Sequence, residues 1–362
     1  MVKKWGRTII GLNLILLSTA HLSRGATEAS AEEVPASRAD GAMEAGSWLT
    51  YQTKHEENLD AYGKNFTSIC VFAYDFDDKD DIRPAKPWVD ETLSHLMGQR
   101  ALGRPVYVTI VNDIETNPPQ QHNGELVLRI VSDPVKRARH IRQIVALTSK
   151  ADGIDIDYES LLAGTRGYFS QFIKELRAAL PPGKLLSVVC QPKTNDDDGP
   201  RGQAIDWRAI APHVDALRMM TYYFSYGGSR PGPSAPLDKV RVMAHLAASE
   251  VPKEKLHMVL TQFGWDWPAD GPGRFIQYAK AIQIVQSRGV RPFHDPDSQT
   301  MRINYIDENG TAHEVWFPDQ AALQAQIRVI QEEGIRKIDV WELGVGDPHF
   351  WTWFTNSAKG PA

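Results

Sequence analysis

Between residues 152 and 159 the chain reads Asp-Gly-Ile-Asp-Ile-Asp-Tyr-Glu, with carboxylates at every second position from Asp155. Side chains of a β-strand alternate, so Asp155, Asp157 and Glu159 take one face and Ile154, Ile156 and Tyr158 the other. A strand that is apolar on one side and acidic on the other fits few surroundings. Its apolar face requires a packed layer, and its buried carboxylates require partners or protons. The acidic column therefore reads as a device for tuning its terminal member, Glu159.

The rest of the chain supplies similar strands. Strand-like runs are expected at Gly46–Gln52, Ser68–Tyr74, Pro105–Val111, Gly153–Tyr158, Leu185–Gln191, Leu217–Tyr223, Leu256–Gly264 and Lys337–Leu343. Helical patterns lie between many of them, at Pro87–Leu102, Asp133–Ser149, Thr165–Ala179, Leu237–Ser249, Phe275–Arg288 and Asp319–Glu333. Strands alternating with helices predict parallel βα units, and eight of them predict a closed (β/α)8 TIM barrel with its site at the strands' C-terminal ends. No Gly-rich phosphate loop follows any strand, which weighs against an open doubly wound sheet. Two strand-like runs around Asn309-Gly310, within Arg302–Phe317, predict a small β-hairpin insertion walling one side of the cleft.

The N-terminus reads as a signal peptide over residues 1–25. A basic start (Lys3, Lys4, Arg7) precedes a mostly apolar run, Thr8–Leu22, and then small residues. Residues 26–42 read as a flexible leader, 43–355 as one catalytic domain and 356–362 as a disordered tail. The expected location is secreted or periplasmic. The net charge is −5 and the first 25 residues carry four cations and no acid, so the remainder carries −9. That balance disfavours nucleic acid and anionic membrane surfaces, and a monomer is expected. Cys70 and Cys190 fall in strand-like runs and read as small buried hydrophobes. His294, His313 and His349 lack metal-ligand spacing, and Asp196-Asp-Asp198-Gly199 is only a fragment of a calcium loop, so no metal and no cofactor is expected.

Asp152–Glu159 resembles the D-G-x-D-x-D-x-E signature of glycoside hydrolase family 18, which includes chitinases and N-acetylglucosaminidases. Met220-Thr221-Tyr222 resembles the family's M-T-Y after the sixth strand, and Phe263-Gly-Trp-Asp-Trp267 its Y-G-Y-D-W run. Trp341-Glu-Leu-Gly344 resembles the W-x-L-G of its eighth strand. The segment His313–Asp319 is similar to bacterial members of spore-cortex and peptidoglycan type. The resemblance spans about residues 43–355 and implies retaining hydrolysis in which the substrate's own 2-acetamido group is the nucleophile.

On that resemblance Glu159 is the general acid, and then the base toward water. Asp157 bonds either Glu159 or the acetamido N–H, and Asp155 holds a proton shared with Asp157. Tyr222 orients the acetamido oxygen, and Trp341 forms the floor beneath the sugar. Tyr223, Trp265, Asp266, Trp267, Tyr74 and Asn112 are expected to line the cleft. Two departures stand out: Tyr223 replaces the Asp that usually follows M-T-Y, and the third strand ends at Asn112 without the Gly-Gly of chitinases. The second fits the peptidoglycan-type members better. The implied partner is an N-acetylglucosamine-containing polysaccharide or oligosaccharide. A non-catalytic sugar-binding protein on the same scaffold is the alternative, with a protein-directed inhibitor a weaker third.

Overall fold

A computed structural model describes residues 43–50, 55–98, 104–116, 119–195 and 198–358. The expected signal peptide (1–25) and leader (26–42) lie outside them. Among the described residues the strands are β1 (Glu44–Leu49), β2 (Phe66–Phe76), β3 (Ile82–Pro84), β4 (Val106–Ile114), β5 (Gly153–Asp157), β6 (Leu185–Cys190), β7 (Ala216–Met220) and β8 (Leu256–Thr261), followed by β9 (Phe263–Pro268), β10 (Arg274–Gln277), β11 (Phe293–His294), β12 (Met301–Ile306), β13 (Ala312–Phe317) and β14 (Lys337–Trp341). Eight of them pair in parallel in the order β1-β14-β8-β7-β6-β5-β4-β2, and β1 also pairs with β2. The sheet thereby closes into the expected (β/α)8 barrel, with β3 an antiparallel addition to β2.

Helices pack outside against the apolar faces of the strands. Ile154 and Ile156 of β5 are fully buried there, each contributing about 1.5–3 kcal/mol of hydrophobic stabilisation. Local signals fix the helix starts nearest the site. Asn123 caps Gly124–Val131 by accepting the Leu126 N–H (2.8 Å), and Asp133 caps Pro134–Leu147 by accepting from Val135 and Lys136. Pro134 occupies the first turn, where no N–H is required. Gly153 opens β5 because a Cβ there would stand 2.5 Å from the Tyr107 ring.

The insertion is larger than a hairpin. β12 and β13 do pair in antiparallel register, but inside a five-stranded sheet of order β10-β9-β13-β12-β11. The helix expected from Phe275 starts instead at Tyr278, because Arg274–Gln277 pairs with β9. The single strand expected over Leu256–Gly264 divides at Gln262. The Gln262 N–H donates to the Trp341 carbonyl (3.3 Å), and its side chain accepts from the Asp347 N–H (2.9 Å), which turns the chain out of the barrel wall. Residues 356–358, expected in the tail, are placed with the domain, and 359–362 lie outside the described residues. The helix Pro348–Ser357 buries Trp351 and Phe354, and Ala358 bridges Met43. Cys70 and Cys190 are free thiols in the core. Among the described residues no helix is long and apolar enough to cross a membrane.

Candidate active site

Asp155, at the middle of β5, is fully buried. Its oxygens accept from Ser187 Oγ (2.5 Å), Thr109 Oγ1 (2.9 Å) and Trp48 Nε1 (3.2 Å), and Arg218 Nε lies 3.4 Å away. Thr109 and Ser187 flank Asp155 in register on the neighbouring strands. The indole and guanidinium groups are donors only, so the surroundings use Asp155 as an acceptor.

Asp157 lies one pleat closer to the mouth and is also buried. Its Oδ1 has no hydrogen-bond partner. Burial first, then the charges of Glu159, Asp155 and Asp113, hold its carboxyl well above the usual range, so it carries the proton. Glu159 follows just past the strand. Its Oε2 accepts from Gln191 Nε2 (3.2 Å), and its Oε1 lies 3.3 Å from His122 Nδ1. Gln191 Oε1 also accepts the Ser160 N–H (2.9 Å), and Ser160 sits at φ 53°. The turn that aims Glu159 is therefore held from β6.

Tyr222 is buried two residues beyond β7. Burial first, then Tyr223, Glu159, Asp157 and Glu342, keep its phenol well above the ordinary range, so it remains an O–H donor. Its ring lies 4.9 Å from that of Tyr223 and 5.8 Å from that of Phe263. Tyr223 adopts φ 71° and its N–H donates to Ser234 Oγ (3.1 Å). Trp341, the last residue of β14, is half-buried against Phe72 (5.4 Å) and Trp48 (5.9 Å) and precedes a cis peptide bond to Glu342. Trp265 is half-buried beside Phe263 (6.1 Å) and Phe275 (6.5 Å), on the side of the mouth built by the insertion.

Four expected cleft residues are elsewhere. Two Asn112 bonds clamp the Glu159 backbone: Nδ2 donates to the Glu159 carbonyl (2.8 Å) and Oδ1 accepts its N–H (2.9 Å). Asn112 is out of phase with the inward residues Thr109 and Val111, so it reaches its neighbour strand and not the sugar space. Tyr74 faces the helical layer, its ring 5.9 Å from Lys150 Nζ. A bulge causes this: Phe72 pairs with Thr109, but Tyr74 with Ile110, which reverses the side-chain phase. Asp266 is held inside the insertion by Tyr305 OH (2.8 Å) and His313 Nδ1 (2.7 Å). Trp267 is buried and donates to the Ser229 carbonyl (3.1 Å).

The bulge brings Asp75 inward in place of Tyr74. Burial first, with Glu115 and Asp113 adding to it against Arg83, raises its carboxyl to about 6. Asp113 accepts the His122 N–H (2.7 Å), which fixes His122 at φ 50° above Glu159. Gln191 was not singled out in the sequence; its place at the C-terminal end of the strand read over Leu185–Gln191 is the one signal that marks it. Nothing in the local pattern marks His122, Asp113 or Arg218. Among the described residues no cluster of metal-ligating groups is present.

The geometry is thus a column of acids at the barrel mouth, with the protonated phenol of Tyr222 just past β7 and the half-buried indole of Trp341 at the end of β14. The family model for glycosyl hydrolases family 18 matches residues 122–346. The cortical fragment-lytic enzyme of Bacillus cereus is 27% identical over 299 residues, covering 79% of this chain and 68% of that protein. The enzyme of the same name from Bacillus subtilis is 29% identical over 265 residues, covering 71% and 62%. The fold is similar to the spore cortex-lytic enzyme SleL of Bacillus cereus (TM-score 0.76, 23% identity, 87% of this chain and 74% of that one). It is also similar to a chitinase of Chromobacterium violaceum (TM-score 0.79, 21% identity, 87% and 99%). With its acidic column at the barrel mouth and the match running from His122 to Gly346, the chain belongs to glycosyl hydrolases family 18 and is a glycosidase.

Proposed function

We propose that this glycosidase cleaves β-linked N-acetylglucosamine bonds in peptidoglycan glycan, with retention and with the substrate's acetamido group as nucleophile. The observation that carries the reading is Asp157: a buried, protonated carboxyl with an oxygen left unbonded, between the acceptor Asp155 and the terminal Glu159. Its O–H serves Glu159 and its free oxygen serves the acetamido N–H.

Glu159 gives its proton to the glycosidic oxygen as the bond to C1 breaks. The acetamido carbonyl oxygen, held by the Tyr222 O–H, closes on C1 to give a cyclic oxazolinium ion. Water then adds to C1 from the vacated side and returns a proton to Glu159, so the configuration is retained. Trp341 supplies the apolar face on which the sugar ring rests. The similarity to cortical fragment-lytic enzymes favours peptidoglycan over chitin as the polymer. The basic and apolar N-terminal pattern supports export, tested by fractionating cells that express the full chain.

The test is product analysis by mass spectrometry after incubation with peptidoglycan and, separately, chitin oligomers. N-acetylglucosamine-ended fragments are expected from peptidoglycan, falling by about 10²–10⁴-fold in Glu159→Gln. Cleavage of chitin alone would replace the substrate. Sugar binding without any cleavage would make the chain a carbohydrate-binding protein.

A further inference from the structure

Below the acidic column, the barrel interior holds a charge that the reaction scheme does not use. Arg218 of β7 is fully buried. Its Nη1 pairs with Asp339 of β14, and its Nε lies 3.4 Å from Asp155 of β5. His257 of β8 approaches the same Asp339 oxygen at 3.1 Å. The guanidinium lies 4.9 Å from the Tyr107 ring of β4 and 5.4 Å from the Trp48 ring of β1. Cys70 of β2 also faces it, as a thiol that burial keeps protonated. The room is built for this set: a Cβ on Gly46 would stand 2.2 Å from Asp339 Oδ1.

We infer that Arg218 is a positioning residue for catalysis, holding Asp155 as a charged acceptor so that the proton of the acidic column resides on Asp157 beside Glu159. Two aspartates one pleat apart in a buried column compete for one proton. The cation beneath Asp155 breaks that symmetry. Ser187, Thr109 and Trp48 present donors to the same carboxylate and reinforce the bias. Asp339 balances the guanidinium and sets how much of its charge Asp155 receives. Depressed to about 2 by Arg218 and His257 against its burial, Asp339 stays ionised across the working range.

The consequence is a pair of opposite effects. Removing the cation raises the proton affinity of Asp155 and Asp157 together, and removing the far anion lowers it. The experiment follows the Asp157 side-chain carboxyl by ¹³C NMR against pH, in wild type, Arg218→Met, Asp339→Asn and Arg218→Lys, together with kcat and KM profiles on peptidoglycan fragments. Arg218→Met is expected to move the activity profile and the higher-pH step of the coupled titration, seen in the Asp157 signal, to higher pH. Asp339→Asn is expected to move both to lower pH, and Arg218→Lys, which keeps the charge, to leave them in place. At the wild-type optimum kcat is expected to fall about tenfold in Arg218→Met, with KM within about twofold, as for loss of a proton-transfer arrangement.

A folded Asp339→Asn whose midpoint does not move overturns the inference even if Arg218→Met fails to fold. So does a folded Arg218→Met that titrates as wild type. The inference rests on the hydrolase reading, yet the two fail separately. Absence of turnover in the wild type refutes that reading, while the Asp157 titration still decides the role of Arg218.

Discussion

Asp157 has charged neighbours, and its Oδ1 has no hydrogen-bond partner. Burial, with Glu159, Asp155 and Asp113 close by, makes its ionised form costly in the fold, whereas the unfolded chain ionises it near the usual value of about 3.9. The sign follows from linkage: a carboxyl whose folded value is raised contributes stability below the unfolded value and loses it as pH rises toward the folded one. Asparagine copies the neutral form at every pH. Asp157→Asn should therefore gain melting temperature over wild type progressively from about pH 4 upward, while losing about 10²–10⁴-fold in kcat. Thermal melts at several pH values check the first effect, and a difference that stays flat with pH contradicts it. The same substitution would thus stabilise the protein and disable it.

Among elements, the loop between β4 and the helix Gly124–Val131 shapes the mouth. Asn112 clamps the Glu159 backbone, Asp113 clamps the His122 backbone, and Asn123 returns its N–H to the Asn112 carbonyl (2.9 Å) before capping the helix. Gly124 is required there, since a Cβ would stand 2.1 Å from the Ser160 carbonyl oxygen. Asn112→Ala removes the side-chain partners of the part-buried Glu159 N–H and carbonyl. It should cost about 1–3 kcal/mol of stability each and about 10²-fold in kcat through misplacement of the acid. Denaturant titration and steady-state kinetics measure the two; a stable variant with native kcat would show that the clamp does not aim Glu159.

The same elements show what a sequence reveals. The column at Asp155–Glu159 and the strands around it were legible because a period of two is short-range and survives in the string. Tyr74 was assigned to the wrong face because the bulge after Phe72 changes that period, and its cause is the pairing with Thr109 and Ile110, more than thirty residues away. Asp266 and Trp267 lie in β9, beyond the strand read over Leu256–Gly264, and the sheet that absorbs them is completed by His313 and Tyr305. Arg218 is an ordinary basic residue until Asp339 and Asp155 converge on it. Contacts between distant strands, unlike faces of one strand, leave no local pattern.

For the molecule as a whole, the barrel depends on its last strand. β14 fills the gap between β1 and β8, and Ser47 Oγ donates to the Val340 carbonyl (2.6 Å) across 293 residues of sequence. A chain truncated before Lys337 should show no cooperative melting transition and should bind a hydrophobic dye, because two strands lose their ladder and the interior opens. A cooperative melt of that truncation would show that the open sheet is self-sufficient.

Closure across the chain's full span also sets an order of events. The first strand leaves the ribosome long before its final neighbour exists, and pairings of such sequence separation are slow to form. Throughout that interval β1 presents a row of unbonded amides, as any sheet edge does, to whatever protein surface passes. The feature that makes the finished barrel edgeless leaves the growing one with an exposed edge, the kind of surface that chaperones cover during synthesis.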